Sequence, residues 1–98
     1  MNLSSAQKRH LRGKAHHINP VVTVGDKGLT ENVMAELETA LDHHQLIKVK
    51  LRADRQTRDR LSREIADNCS AQLVQQIGQV SCFFRRNTDK PAIDLPDK

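Results

Sequence analysis

The segment Leu46-Ile47-Lys48-Val49-Lys50-Leu51-Arg52 alternates apolar and cationic side chains from Ile47 onward without a break. Successive side chains of a β-strand point to opposite faces, so Ile47, Val49 and Leu51 share one face while Lys48, Lys50 and Arg52 share the other. A helix would scatter the same residues around its circumference. The chain must therefore build a sheet with one buried face. At this strand the opposite face must carry cations in a row.

Cover for the buried face comes from segments with a different period. Leu29, Val33, Leu37 and Leu41 recur every four residues, with Met34 and Ala40 widening the stripe, which predicts an amphipathic helix. Thr30 is its expected N-cap, and Glu31 suits the positive helix end. Leu61, Ile65 and Cys69 step likewise beside Ala66, in a helix expected to be capped by Thr57. Its other faces carry near-balanced charge: Arg58, Asp59, Arg60, Arg63, Glu64 and Asp67. Ahead of both, Ser4 and Gln7 form a capping-box pattern. They open a helix whose thin apolar stripe is Leu3, Leu11, Ala15 and Ile18. Asn19-Pro20 ends it, because the residue before proline is pushed out of the helical region.

Val21–Val24 is a β-branched run that stops at Gly25. Gln72–Ile77 and Val80–Arg85 close the pattern as a hairpin turned at Gly78-Gln79. The predicted order is α-β-α-β-α-β-β. Strands separated by helices pair in parallel through right-handed crossovers, and the hairpin adds an antiparallel partner. The expected fold is an α/β two-layer sandwich on a four-stranded mixed sheet. Residues 1–86 are expected to form a single domain, with 87–98, which contain Pro91 and Pro96, as an extended C-terminal tail.

Ninety-eight residues leave room for one small domain with a thin core. There is no Trp or Tyr, and only Phe83 and Phe84, which excludes a sheet surface that stacks several bases on aromatic rings. No apolar run approaches the ~18–20 residues that cross a bilayer, and Met1–Ser5 lacks the apolar core of a signal peptide. A soluble, cytoplasmic monomer without membrane association is expected. Cys69 and Cys82 stand apart and are expected to be reduced, buried thiols. His16-His17 and His43-His44 are adjacent pairs, whose side chains diverge by about 100° on a helix, and no ligand spacing accompanies them. Ser62, Ser70 and Ser81 sit in no nucleophile elbow. No catalytic residue, metal, cofactor or small-molecule substrate is expected.

The charge is unevenly distributed. Sixteen Lys and Arg oppose twelve Asp and Glu, a formal net charge of +4. Lys8, Arg9, Arg12 and Lys14 fall within the first 17 residues without a single acid, so the remainder of the chain is balanced. Two further basic groups are Lys48, Lys50 and Arg52, and Arg85 with Arg86. Gly25-Asp26-Lys27-Gly28 joins a strand to a helix N-terminus. Its glycines let a ligand approach the backbone, free helix N–H groups favour a phosphate and Lys27 adds a cation, while the Asp26 carboxylate repels a phosphate. Alone, the four residues also fit an ordinary turn, and they match neither the P-loop nor the dinucleotide fingerprint. Together with three basic groups on a compact sheet, they describe a surface that tracks a phosphate backbone.

The run from Leu11 to Lys50 carries a more specific pattern: Pro20-Val21-Val22-x-Val24-Gly25-x-x-Gly28-Leu29-Thr30-x-x-Val33, then Glu38-x-x-Leu41, then Leu46-Ile47-Lys48-Val49-Lys50. It resembles the YhbY family, the bacterial stand-alone form of the chloroplast RNA splicing and ribosome maturation (CRM) domain. The resemblance covers nearly the whole chain. It implies a non-enzymatic RNA-binding protein with a fold similar to the C-terminal domain of bacterial translation initiation factor three. The implied partner is ribosomal RNA in large-subunit precursors during ribosome assembly, and the plant relatives support group II intron splicing. Carried over, the loop role falls on Gly25, Asp26, Lys27 and Gly28. The wider RNA-binding surface is expected from Lys8, Arg9, Arg12, Lys14, Lys48, Lys50, Arg85 and Arg86. The chain departs from the family at Phe84, where relatives often have Tyr before Arg. An alternative function is a protein-interaction adaptor docking on a ribosomal protein or assembly factor, which would retain deproteinised RNA only weakly. The sharpest expectation is geometric: the bases of the first helix and the Gly25–Gly28 loop should share one continuous surface.

Overall fold

The computed structural model describes residues 3–86 and 95–96. Its elements are α1 (Ser5–Ala15), β1 (Pro20–Val24), α2 (Glu31–His44), β2 (Leu46–Leu51), α3 (Arg55–Cys69), β3 (Gln72–Ile77) and β4 (Val80–Phe84). The strands form one sheet in the order β1-β2-β4-β3. β1 runs parallel to β2, and β4 runs antiparallel to both β2 and β3. The α/β architecture and the mixed four-stranded sheet are as the periodicities predict. The expected extended tail lies outside the described residues except for Leu95 and Pro96.

Strand alternation sorts the core into two bodies. On one face Ile47, Val49 and Leu51 join Val22, Val24 and Phe83 against Leu37 and Leu41 of α2 and Leu61, Ile65 and Cys69 of α3. On the other face Leu46, Val74, Cys82 and Phe84 pack against Leu11 and Ala15 of α1. The sandwich proper is therefore α2 and α3 on the sheet, and α1 adds a partial cover on the opposite side. Leu11 and Phe84 are fully buried there, and each such side chain contributes about 1.5–3 kcal/mol. Leu46 begins β2 and Phe84 ends β4, and the two are paired. α1 therefore covers one end of the sheet. Toward the other end of β2 this face is open, with Lys48 and Lys50 half-buried.

The helix caps follow from the local sequence. Ser4 Oγ accepts from the Gln7 N–H at 3.1 Å, and Gln7 Oε1 accepts from the Ser4 N–H at 3.0 Å. The same Gln7 amide donates to the Pro96 carbonyl at 3.1 Å, tying Leu95 and Pro96 to α1. Thr30 Oγ1 accepts from the Val33 N–H at 3.2 Å at the start of α2. At α3 the cap is Asp54 rather than the expected Thr57: Asp54 Oδ1 accepts from the Thr57 N–H at 2.8 Å, and the helix begins at Arg55. The Asp54 carboxylate reaches the free N–H three residues on, so Arg55 and Gln56, ahead of the expected cap, are already helical. α1 stops at Ala15, ahead of the expected Asn19-Pro20 boundary, with His16 as its C-cap.

Candidate functional site

Gly25–Gly28 leave β1 at its C-terminal end and lead into α2. The Gly28 N–H donates to the Gly25 carbonyl at 3.0 Å, closing a tight turn. Gly28 has φ +70°, in the left-handed region that glycine enters without strain. An added methyl at Gly25 or Gly28 would meet nothing within 4 Å, so the backbone here is open to an approaching ligand. The loop walls a cleft of about 520 Å³ whose other side is built from the β2–α3 connection and the first turns of α3. Lys27, Arg52 and Arg60 face this cleft together with Asp26, Asp54 and Glu64. Arg60 donates to Glu64 at 3.2 Å. Donation from Thr57 holds the Asp54 carboxyl below its ordinary value of 3.8 and so keeps it anionic. The loop cleft is thus charge-balanced. What it offers an anion is open backbone with Lys27 and Arg52 beside it.

β2 leads the positive charge out of this cleft. Residues two apart on a strand lie about 6.5–7 Å from each other, so Lys48, Lys50 and Arg52 form a row roughly 13 Å long. Arg52 lines the loop cleft. Lys50 sits opposite Thr23 of β1 and Val80 of β4. Lys48 lines a second cleft, beside His16 and Asn19 at the C-terminal end of α1. The row therefore spans from the Gly25–Gly28 loop to α1.

On α1 the buried positions are Gln7, Leu11 and Ala15. At 3.6 residues per turn, Lys8 and Arg12 border one side of that stripe and Lys14 the other, while Arg9 points away from the sheet. Neither α1 nor any strand carries an acid. Every Asp and Glu among the described residues sits on α2, on α3, or in the loops at Asp26 and Asp54. Six bases (Lys8, Arg9, Arg12, Lys14, Lys48 and Lys50) occupy α1 and the adjoining sheet face with no acid among the described residues there.

Arg85 does not belong with them. Its Nη1 donates to Glu38 Oε2 at 2.6 Å and to the Cys69 carbonyl at 3.0 Å. Its Nη2 donates to Asp42 Oδ1 at 2.8 Å and to the Glu38 carbonyl at 3.3 Å. Burial opposes the charge, but the bonds and charges of Glu38 and Asp42 outweigh it and raise the guanidinium's pKa further. Arg85 therefore clamps α2 and the C-terminal end of α3 to the end of β4, on the acidic side of the molecule, and the expectation that it joins the basic surface is corrected. Arg86 is exposed, but at the end of the sheet opposite the glycine loop, since β4 runs antiparallel to β2.

Cys69 and Cys82 are free and buried. Desolvation pushes both thiols up to about 11, with the Glu38 charge adding at Cys69. Among the described residues no three His, Cys, Asp or Glu are grouped so as to hold a metal ion, and no helix is long and apolar enough to cross a membrane.

The model of the CRS1/YhbY (CRM) domain matches residues 3–85. The chain belongs to this family. A Haemophilus influenzae relative named "RNA-binding protein" is 47% identical over 97 residues, covering 98% of this chain and 97% of its own. A Pseudomonas aeruginosa relative named "Probable RNA-binding protein" is 44% identical over 88 residues, covering 89% of this chain and 85% of its own. The solution structure of a Staphylococcus aureus protein, described as a candidate RNA-binding protein, superposes with a TM-score of 0.83 at 30% identity. That match covers 97% of this chain and all of the other.

In this CRM domain the sequence pattern marked the loop and the basic groups but missed what surrounds them. Arg60 enters the loop cleft from the first turns of α3. Gln75 and Ile77 reach the cleft at α1 because β4 inserts between β2 and β3, which sets Gln75 opposite Cys82 and Cys82 opposite Lys48. Only the hairpin register hints at that placement.

Proposed function

We propose that this CRM domain is a non-enzymatic RNA-binding protein that works in the cytoplasm on ribosomal RNA of large-subunit precursors during ribosome assembly. One observation carries the reading: among the described residues, the face formed by α1 and the outer row of β2 holds Lys8, Arg12, Lys14, Lys48 and Lys50 with no acid, and it joins the open Gly25–Gly28 backbone through Arg52. Such a face suits a polyanion longer than one phosphate group. Phosphates would follow Lys48, Lys50 and Arg52 along the strand, with Lys8, Arg12 and Lys14 extending the track and the loop's N–H groups at its far end. The names borne by the relatives support RNA as the ligand. The ribosomal assignment rests on the resemblance to the stand-alone bacterial members.

Binding of deproteinised large-subunit precursor RNA, measured across a salt series, tests this. If about five to six phosphates are neutralised, log K falls against log salt with a slope of about −3.5 to −5. Lys48→Gln combined with Lys50→Gln should make the slope shallower by about 1.4–1.8. Arg63→Gln, on the helical side, should leave it alone. A slope near zero, or one indifferent to Lys48 and Lys50, overturns the proposal. Retention that requires added ribosomal protein would assign the domain to an adaptor role instead.

A further inference from the structure

The cleft at the C-terminal end of α1 has features that a phosphate track does not require. It encloses about 280 Å³, near the lower bound of about 300 Å³ for small-molecule pockets, which suits one small planar group. Pro20 and Ile77 give it apolar walls, and Ile77, 63% exposed, leaves apolar surface free for a bound group. The polar residues that line it are His16, Asn19, Lys48 and Gln75, and no Asp or Glu among the described residues joins them. Each carboxamide offers a donor and an acceptor side by side. A register shift in β3 between Leu73 and Gln75 brings Gln75 into line with Cys82 on the floor.

We propose that this cleft receives one unpaired nucleobase of the RNA whose backbone lies along the cation row, an inference that rests on the RNA-binding reading above. The base's faces meet Pro20, Ile77 and the flat His16 ring. Its hydrogen-bonding edge meets the two carboxamides, and Lys48 holds the phosphate of the same nucleotide. An isolated phosphate would gain nothing from the apolar walls, whereas a nucleotide brings a flat base to them together with its phosphate. The chain lacks an aromatic sheet surface for stacking a run of bases, so it reads a base by enclosing it singly. The consequence is selectivity for helices interrupted by a bulge.

Five RNA hairpins of identical stem test this: four with a one-nucleotide bulge of A, C, G or U, and one with an abasic bulge of the same charge. At least one base-bearing bulge should bind about tenfold or more tightly than the abasic one. Gln75→Ala and Ile77→Ser should each abolish that preference while leaving abasic affinity within about twofold, because neither removes a phosphate contact. His16→Ala, at an exposed position, supplies the same readout should Gln75→Ala fail to fold. Four bulges that bind no better than the abasic hairpin, with normal salt dependence, overturn the base site and leave the RNA-binding face standing. A preference that survives Gln75→Ala and Ile77→Ser also overturns it. No salt-dependent binding to any hairpin overturns the underlying reading as well.

Discussion

Arg85→Met separates a structural arginine from an RNA-contacting one, because it keeps the aliphatic stem and removes the fork. The loss can be assembled from the four bonds. Glu38 and Asp42 are 46% and 70% exposed as side chains, so both carboxylates regain water when the guanidinium goes. Each such pair contributes about 0.5 kcal/mol. The Cys69 and Glu38 carbonyls lose a charged donor beneath a side chain only 19% exposed. These contribute about 1 kcal/mol each, the value of an ordinary hydrogen bond rather than of one to an ion, because one guanidinium is shared among four acceptors and one bond spans 3.3 Å. The total is about 3 kcal/mol. For a domain of this size that lowers Tm by roughly 12–24 °C. Arg85→Lys, keeping a point charge without the fork, should lose about half as much. Thermal melts followed by circular dichroism read the stability. RNA affinity, measured well below the variant's Tm, should match the wild type. A Tm drop of only a few degrees would refute the clamp, and a large loss of affinity in the folded variant would return Arg85 to the binding face.

Two further tests address the core. The buried Ser62 and Ser81 hydroxyls lie 2.8 Å apart across the α3–sheet interface; Ser62→Ala leaves the Ser81 hydroxyl in an apolar setting and should cost about 1–3 kcal/mol. The double alanine variant should cost less than the sum of the single ones in urea denaturation, and strict additivity would show that the two do not interact. The Cys69 and Cys82 thiols, pushed from 9.0 to about 11, should label with iodoacetamide at pH 8 roughly a hundredfold more slowly in the native protein than after unfolding. Because the folded state holds these protons more tightly than the unfolded one, the thiols' contribution to stability is full below pH 9 and is lost as pH rises toward 11. Rapid labelling without loss of native signal would contradict their burial.

The layers were legible because the chain uses two separate periods. Steps of four at Leu37–Leu41 and Leu61–Cys69, set against alternation in Ile47–Arg52, leave little choice but helices over one face of a sheet. The placement of α1 was not legible. Its contacts, Leu46, Val74, Cys82 and Phe84, come from three strands, and their grouping depends on the order β1-β2-β4-β3. Arg85 was misjudged for a related reason: its carboxylate partners lie 47 and 43 residues earlier, so its local sequence shows only a second arginine beside it. The Asp54 cap was hidden by chemistry that serves loops and helix starts equally. For the site, Lys48, Lys50 and the glycine loop could be read directly. Gln75 and Ile77 could not, since nothing local says that an edge strand ends beside α1.

The gathering of the described acids on the α2–α3 side has a kinetic meaning. α2 and α3 carry seven acids against four arginines, while α1 and β2's outer row are purely basic. In the field of a polyanion such a body feels a torque before it makes contact, so it turns its basic face inward during the encounter and fewer collisions are wasted. Once seated, it presents an acidic back to every neighbouring helix. A domain charged in this way can coat one RNA segment but cannot clip two together. It would screen the RNA stretch it covers without condensing the rest of that RNA around itself.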